Sequence, residues 1–326
     1  MKKIEPLNAG SGTVLVVGAG HIGQRLIALL AGHRPVVAVT RRHDQVPVLE
    51  ALGARVLVAD LDDPSSLLQL GAIADAVVHL APPPSQGEVD TRTLNLLRAL
   101  TPDPSLQGVA MVAQGPAAPG REAVGVRLRR FVYVSTTGVY GDCGGARVDE
   151  TTPVAPQSDR ARRRVDAERR LLDWGETWQI PVAILRAPGI YAAERLPLER
   201  LRAGTPVLRL EDDVYTNHIH ADDLASICAV AVDHTACGLF NACDDSQIRM
   251  GEYFDRVADA FGLARPPRIT RAEAATRIPA PLLSFMSESR RIANDRLKRE
   301  LGIVLTYPTV DAGIAAAVRD QTARGG

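Results

Sequence analysis

Three glycines carry the clearest chemical signal in the chain. Gly18, Gly20 and Gly23 stand in G-x-G-x-x-G spacing inside Val14-Leu-Val-Val-Gly-Ala-Gly-His-Ile-Gly-Gln-Arg-Leu-Ile-Ala-Leu-Leu30. Gly18 permits a tight turn, Gly20 lets a pyrophosphate approach the backbone, and Gly23 lets the following helix pack close to the strand. The helix start then offers unpaired N–H groups and the positive end of a dipole to phosphate. Glycines also punctuate ordinary strand-to-helix turns. Here a β-branched run precedes the triplet and a 3.6-residue apolar period follows it, and that context makes dinucleotide binding the expectation.

Other chemistries find less support. Cys143, Cys228, Cys237 and Cys243 form no C-x-x-C pair, so reduced thiols are expected. His218 and His220 can face the same way on a strand, but two histidines alone make a poor metal site, and no metal is expected. The chain has 326 residues, 46% of them hydrophobic and 23% charged, with a formal net charge of zero. That balance gives no electrostatic case for nucleic acid or an anionic membrane. No apolar run reaches the length of a membrane span, and residues 1–12 lack the apolar core of a signal peptide. They read as a short flexible leader, and the protein is expected in the cytoplasm. Lys2, Lys3 and Lys298 are the only lysines, so arginine carries nearly all the positive charge.

The elements that must position the glycine loop alternate regularly. Strands are expected at Pro35–Thr40, Arg55–Ala59, Ala76–Leu80, Arg130–Ser135 and Pro181–Arg186. Helical patterns lie between them, at Val48–Leu52, from Pro64 to about Leu70, at Asp90–Leu100 and at Arg160–Trp174. This order implies an α/β fold, a doubly wound parallel sheet with helices on both faces. Thr101–Arg121, with several prolines and glycines, reads as a long surface loop. From about Ala192 to Thr216 the chain leaves the sheet for a smaller lobe. Asn217–Ala225 returns as a strand and a helix, Gly238–Ala242 reads as another strand, and helical patterns from Gly251 onward complete the lobe.

Four blocks occur in order: the glycine loop, Val134-Ser-Thr-Thr-Gly-Val-Tyr-Gly-Asp142, Leu185-Arg-Ala-Pro-Gly-Ile-Tyr191 and His220-Ala-Asp-Asp-Leu-Ala225. With them the chain resembles the extended short-chain dehydrogenase/reductases, the nucleotide-sugar epimerase/dehydratase group. The resemblance implies a Rossmann domain over 13–191, rejoined by 217–246, and a substrate lobe over 192–216 and 247–326. It also implies a nicotinamide cofactor in the cleft between them. Residue by residue, Gly18, Ala19, Gly20, His21, Ile22 and Gly23 match the phosphate loop. Arg41 and Arg42 match the end of the second strand, where the adenine ribose is read. Asp60 and Leu61 match an adenine-contacting pair, and Ala81 and Pro82 the strand end beneath pyrophosphate and ribose. Pro188, Gly189 and Ile190 match the segment passing the nicotinamide, and Ser135 is carried over with the cofactor-binding set. An acidic side chain at the second strand end selects NAD through the ribose 2′-OH, whereas arginine suits a 2′-phosphate. NADP is therefore expected over NAD, with Asp44 as the residue that would reverse the preference.

The catalytic block departs from the family. Its members use a Tyr-x-x-x-Lys pair with an upstream Ser or Thr: the tyrosine moves the proton, the lysine lowers its pKa, and the hydroxyl orients the substrate oxygen. Thr136 matches the hydroxyl, but Arg160 and Arg164 stand at the tyrosine and lysine positions. No tyrosine occurs between Tyr140 and Tyr191, and no lysine between Lys3 and Lys298. The pattern is similar to the atypical, YeeZ-like branch, which keeps the glycine loop and loses the pair. Arg164 could hold the nicotinamide ribose or face a developing oxyanion, but it stays protonated and is a poor general acid. Tyr140 is the nearest phenol and a candidate proton donor, with packing as its alternative role. Cys143 is weighed and set aside as an incidental thiol, His220 as a hydrogen-bonded structural residue and Asp223 as a helix-start or loop-anchoring carboxylate. The arginines of 160–170 alternate with Asp159, Asp166, Glu168 and Asp173, which reads as a solvated, ion-paired helix face rather than a nucleic-acid surface.

Three functions follow. The first is an NADP-dependent oxidoreductase on a small carbonyl or hydroxyl compound, with catalytic roles at Thr136, Tyr140 and Arg164. The second is a nucleotide-sugar epimerase or dehydratase, and the third a non-catalytic NADP(H) sensor.

Overall fold

The structure, a computed structural model, describes residues 12–101, 128–279, 282–283 and 286–325. The expected leader, apart from Gly12, and the expected loop, apart from Thr101, lie outside these residues. Among them a seven-stranded, wholly parallel sheet is built from β1 (Val14–Val17), β2 (Val36–Thr40), β3 (Arg55–Val58), β4 (Ala76–His79), β5 (Arg130–Thr136), β7 (Val182–Ala187) and β12 (Gly238–Asn241). Their spatial order is β12-β7-β5-β4-β1-β2-β3. Every residue of β1 is buried, as expected of a parallel strand covered on both faces by helices. The order reverses between β1 and β4, and in such sheets the crevice beyond the strand ends at that point is where ligands bind.

Alternation along the strands divides the core. Val14, Val16, Val78, Val132 and Val134 face α1 (His21–Leu30) and α6 (Ala221–Asp233). Leu15, Val17, Val77, Phe131 and Tyr133 face α3 (Thr91–Leu100) and α4 (Asp159–Trp178). Helix α1 buries Gly23, Leu26, Ile27 and Leu30, the i, i+3, i+4, i+7 stripe of an amphipathic helix, and lies directly against α6. The buried stripe of α4 is less ordinary: Ala161, Arg163, Arg164, Ala167, Glu168, Leu171 and Trp174.

Short ladders fix the remaining chain: β6 (Arg147–Val148) pairs with Arg291–Ile292, β9 (Val207–Leu208) with Arg268–Ile269 and β10 (Tyr215–Thr216) with Ile248–Arg249, while α2 (Val46–Ala51) precedes β3 and α5 (Leu198–Arg202) precedes β9. β8 (Gly189–Tyr191) pairs with β11 (His218–His220), so the strand expected after Asn217 forms outside the central sheet. A separate core packs α7 (Met250–Ala260) and the helix Val310–Gly325 around Tyr191, Leu201, Val207, Phe254, Val257 and Ile314. The helix expected from Pro64 to Leu70 is instead two 3-10 turns, Pro64–Leu67 and Leu70–Ala72. Asp63 accepts from the Ser65 N–H at 3.0 Å, and the Ser66 hydroxyl donates to the Asp63 carbonyl at 2.8 Å. These local bonds compete with an α-helical ladder. No helix among the described residues is long and apolar enough to cross a membrane.

Candidate functional site

The glycine loop turns between β1 and α1 at the switch point. Gly18 has φ +96°, and a Cβ there would lie 2.5 Å from the Ala81 nitrogen, so both conformation and space demand glycine. A Cβ on Gly23 would lie 2.6 Å from the Gly18 carbonyl oxygen, the close helix–strand approach that the spacing predicts. Gly20 differs, because its Cβ would meet nothing within 4 Å. Its backbone opens onto the crevice, as the bulk of a pyrophosphate requires. Around this loop lies a cavity of 290 Å³ whose walls include Gly18, Ala19, Gly20, Arg41, Arg42, Asp60, Leu61, Ala81 and Pro82. The structure thus gathers into one crevice residues named from four separate strand ends. Thr40, Gln45 and Arg92 also line it, and sequence reasoning missed them. Arg92 donates to the carbonyl of Pro82 at 3.1 Å and to Asp62 at 2.6 Å, which fixes the wall below the β4 end. Its place in the first turn of α3, the helix that follows β4, was the available signal.

At the far end of the crevice the two arginines part company. Arg42 makes a two-pronged pair with Asp44, donating from Nε at 3.0 Å and also from the terminal nitrogen. Arg41 is exposed and makes no hydrogen bond or ion pair among the described residues. His21 and Ile22 open α1 beside the loop. The His21 ring bonds to Glu194, which also accepts from Arg25 at 2.7 Å, while Arg25 donates to Asp222 at 2.7 Å. Desolvation pushes the Glu194 carboxyl up, but its own backbone N–H, His21 and Arg25 prevail and hold it at about 2. This network joins the phosphate-loop helix to the segment after β8.

The region where proton chemistry was expected is arranged differently. Thr136 ends β5 half-buried, and its Oγ1 accepts from the Gly138 N–H at 3.2 Å. Tyr140 is buried; its hydroxyl donates to Asn241 Oδ1 at 2.8 Å, and its ring lies under the Arg186 guanidinium, 4.8 Å away. Burial pushes its phenol up. The hydroxyl is thus engaged inside the fold, an arrangement that suits the packing alternative more than proton donation. Ser135 is likewise turned inward, donating to Glu168 Oε1 at 2.5 Å, so its side chain is not part of the crevice wall. Arg164 is buried against β5, donating to the Tyr133 hydroxyl at 2.7 Å and the Val134 carbonyl at 3.1 Å. Burial pushes the Tyr133 phenol up to about 12.

The solvated helix face expected over 160–170 is only half of α4. Arg162 pairs with Asp159 at 2.6 Å and Arg170 with Asp166 at 2.9 Å, both at helix-neighbour spacing. Glu168 instead points inward and accepts from Arg186 at 2.6 Å, with both side chains almost wholly buried. Nearby, His79 meets Thr93 at 3.0 Å, and Thr93 donates to Asp90 at 2.9 Å. Burial, and secondarily the Arg164 charge, push the His79 ring down to about 3. The acidic character of these residues in sequence concealed their burial; only Arg186, a charge within an apolar strand, marked the place.

Pro188, Gly189 and Ile190 run from β7 into β8, where the Gly189 N–H donates to the Asn217 carbonyl at 3.2 Å. His218 stacks on Tyr253 with ring centres 4.3 Å apart, and burial pushes it down to about 3. His220 caps α6, accepting from the Asp222 N–H at 3.3 Å. Asp223 accepts from the N–H groups of Thr306 and Tyr307 at 2.8 and 2.9 Å, anchoring that loop. Cys143 is half-buried near the Tyr140 carbonyl, and burial pushes its thiol up. Among the described residues no group of three or more His, Cys, Asp and Glu could hold a metal ion.

Comparison with known proteins agrees with this architecture. Protein YeeZ of Escherichia coli K12 is 25% identical over 308 residues, which is 90% of this chain and 96% of that protein. A functionally unknown conserved protein from Silicibacter pomeroyi DSS superimposes with a TM-score of 0.73 at 29% identity, covering 95% of this chain and 99% of that one. The dTDP-glucose 4,6-dehydratase of Bacillus anthracis str. Ames, solved in complex with NAD, has a TM-score of 0.70 at 16% identity, covering 95% and 96%, and shows the shared fold. The model of the NAD dependent epimerase/dehydratase family matches residues 14–243, a span holding the glycine loop, the Thr136 turn and the strand that closes the sheet. The chain belongs to the NAD-dependent epimerase/dehydratase family.

Proposed function

We propose that this chain binds NADP(H) in the crevice beside Gly20 and acts as an oxidoreductase-like protein of the atypical short-chain type on a small carbonyl or hydroxyl compound. The observation that carries the reading is the open space over Gly20 within a cavity lined by the matched strand ends. The glycine loop, Asp60, Leu61, Ala81 and Pro82 would hold the adenosine and pyrophosphate, with Pro188 and Ile190 beside the nicotinamide. For NADP over NAD the support is local. Asp44, the acidic side chain able to take a ribose 2′-OH, is paired with Arg42, whereas Arg41 is free to meet a 2′-phosphate.

A bound nicotinamide would supply the hydride donor or acceptor. Thr136 supplies orientation: because its Oγ1 accepts from Gly138, its own hydrogen remains available to donate to a substrate oxygen. With Tyr140 bonded to Asn241 and Arg164 bonded to Tyr133 and the Val134 carbonyl, the proton is exchanged with water. The engaged phenol counts against the abstraction of a sugar-hydroxyl proton, as an epimerase or dehydratase cycle needs. It favours, as a second reading, a sensor that binds NADP(H) without turnover.

Fluorescence titration of the purified protein with NADPH and NADH tests the premise. NADPH is expected to bind more tightly, and Arg41→Ala to cut that preference by about tenfold or more, the scale of one charge-assisted hydrogen bond. Binding of neither nucleotide would sink the reading. Turnover on a carbonyl panel, lost in Thr136→Val, supports the oxidoreductase, whereas tight binding without turnover supports the sensor.

A further inference from the structure

Helix α4 begins with a concentration of positive charge. Arg160, Arg163 and Arg164 lie in its first two turns, between the loop holding Gly87, which follows β4, and the turn Thr137–Tyr140, which follows β5. Cations are disfavoured at a helix N-terminus, where the dipole is already positive, and three guanidiniums add their mutual repulsion. Desolvation lowers the Arg160 pKa, and so do the charges of Arg164 and Arg163.

The partners of these side chains are neutral. Arg163 donates to the Gly87 carbonyl, and Arg164 to the Tyr133 hydroxyl and the Val134 carbonyl. Both are more than nine-tenths buried, and each keeps a buried Nε without a partner. Arg160 is exposed and makes no hydrogen bond or ion pair among the described residues. Of the nearby carboxylates, Asp159 and Glu88 go to Arg162. Asp90, which also feels the Arg164 charge, accepts from the Thr93 N–H and hydroxyl, and Glu168 goes to Arg186, so among the described residues no carboxylate bonds to Arg160, Arg163 or Arg164. The result is a buried pair of guanidiniums with a third, exposed one within reach of their charge. Buried charges normally come with a counter-charge, so this arrangement calls for an anion from outside the chain.

We propose that Arg160, backed by Arg163 and Arg164, receives an anionic group of the substrate, a carboxylate or a phosphate, at the start of α4 between the Gly87 loop and the Thr137–Tyr140 turn. This rests on the reading of the chain as an oxidoreductase-like protein and narrows the substrate to an anionic carbonyl or hydroxyl compound. Arg160 makes the contact; Arg163 and Arg164 are positioning residues that supply charge from below. The family positions of tyrosine and lysine are thereby turned from proton transfer to anion recognition.

The test uses the full chain saturated with NADPH at constant ionic strength, so that the glycine loop is occupied. Thermal shift and calorimetric titration are run with inorganic phosphate, with oxalate and with uncharged oxamide. At least one of the two anions is expected to bind and raise the melting temperature, while oxamide does neither. Phosphate without oxalate assigns a phosphoryl group, and the reverse a carboxylate. Arg160→Gln is expected to weaken anion binding by about tenfold or more, the scale of a charge-assisted bond, with the NADPH titration unchanged. Because Arg163→Gln risks the fold, Arg160→Lys provides the second variant, retaining charge and part of the affinity. Overturning results would be silence from both anions, or binding equally strong in Arg160→Gln. Should NADPH fail to bind while the anion effect is still lost in Arg160→Gln, the cofactor reading falls and the anion receptor stands.

Discussion

The strand ends at β1–β4 and at β5 are built on opposite principles. At the β1–β4 end, backbone shapes the crevice: a left-handed glycine, a helix start, and walls formed by the ends of neighbouring strands. At the β5 end, where the family places its acid/base pair, side chains matter most, and here they have been drawn into the interior. Ser135, Glu168 and Arg186 close on one another, Tyr140 reaches Asn241, and Arg164 reaches Tyr133. A binding loop made of backbone survives extensive change around it because it depends on few side-chain identities. A proton relay does not, since removing one phenol leaves its neighbours free to assume structural work.

That contrast is sharpest in stability. Glu168→Ala should be the most damaging single change, costing about 3–5 kcal/mol in urea unfolding, because it leaves Arg186 charged and unpaired inside the protein. On the opposite face of the same helix, Arg162→Ala should change stability by less than about 0.5 kcal/mol. Similar losses from the two would break the distinction between the buried and solvated faces of α4.

Acid should separate the ends next. His79 is held near 3 against an ordinary 6.5, so the unfolded chain takes up its proton first as pH falls. Its contribution is fully present above pH 6.5 and declines toward pH 3, with a slope of up to about 1.4 kcal/mol per pH unit. Glu194, beside the phosphate loop, is held near 2 against 4.5, and its contribution is lost only as pH drops through that lower window. Unfolding measured against pH should therefore lose part of its slope between 6.5 and 4.5 in His79→Gln, with buried His218 keeping a similar share, and change only below 4.5 in Glu194→Gln. The Glu194 effect should be the smaller, because its side chain is half exposed.

Within the glycine loop, the comparison narrows to neighbouring residues. Gly18→Ala should destabilise by about 1–3 kcal/mol, since both φ and the Ala81 backbone oppose it. Gly20→Ala should shift the melting temperature by only a few degrees, roughly the effect of under 1 kcal/mol, yet weaken dinucleotide binding by about tenfold. Equal thermal effects would show that Gly20 is shaped by the fold rather than by a ligand.

The same division explains what could be seen in the sequence. Strands, the glycine turn and the order of elements were legible because each depends on local pattern: continuous β-branched runs, a spaced triplet, a stripe along α1. The 3-10 turns at Pro64–Ala72 were not, because side-chain bonds of Asp63 and Ser66 override a helical pattern. Glu168 was misplaced for a different reason. Its partner Arg186 lies on another element, and alternating charges on a helix look alike whether they meet water or one another.

The contact between α1 and α6 carries a consequence for synthesis. The helix that presents the phosphate loop rests its Leu26, Ile27 and Leu30 face on a segment made much later, residues 221–233, and the sheet closes only when Gly238–Asn241 is laid beside β7. During translation that greasy face emerges long before its cover, and a ribosome stalled upstream of Ala221 would hold a nascent chain ready for a chaperone. The crevice beside Gly20 thus gains its backing only after residues 221–233 have been made.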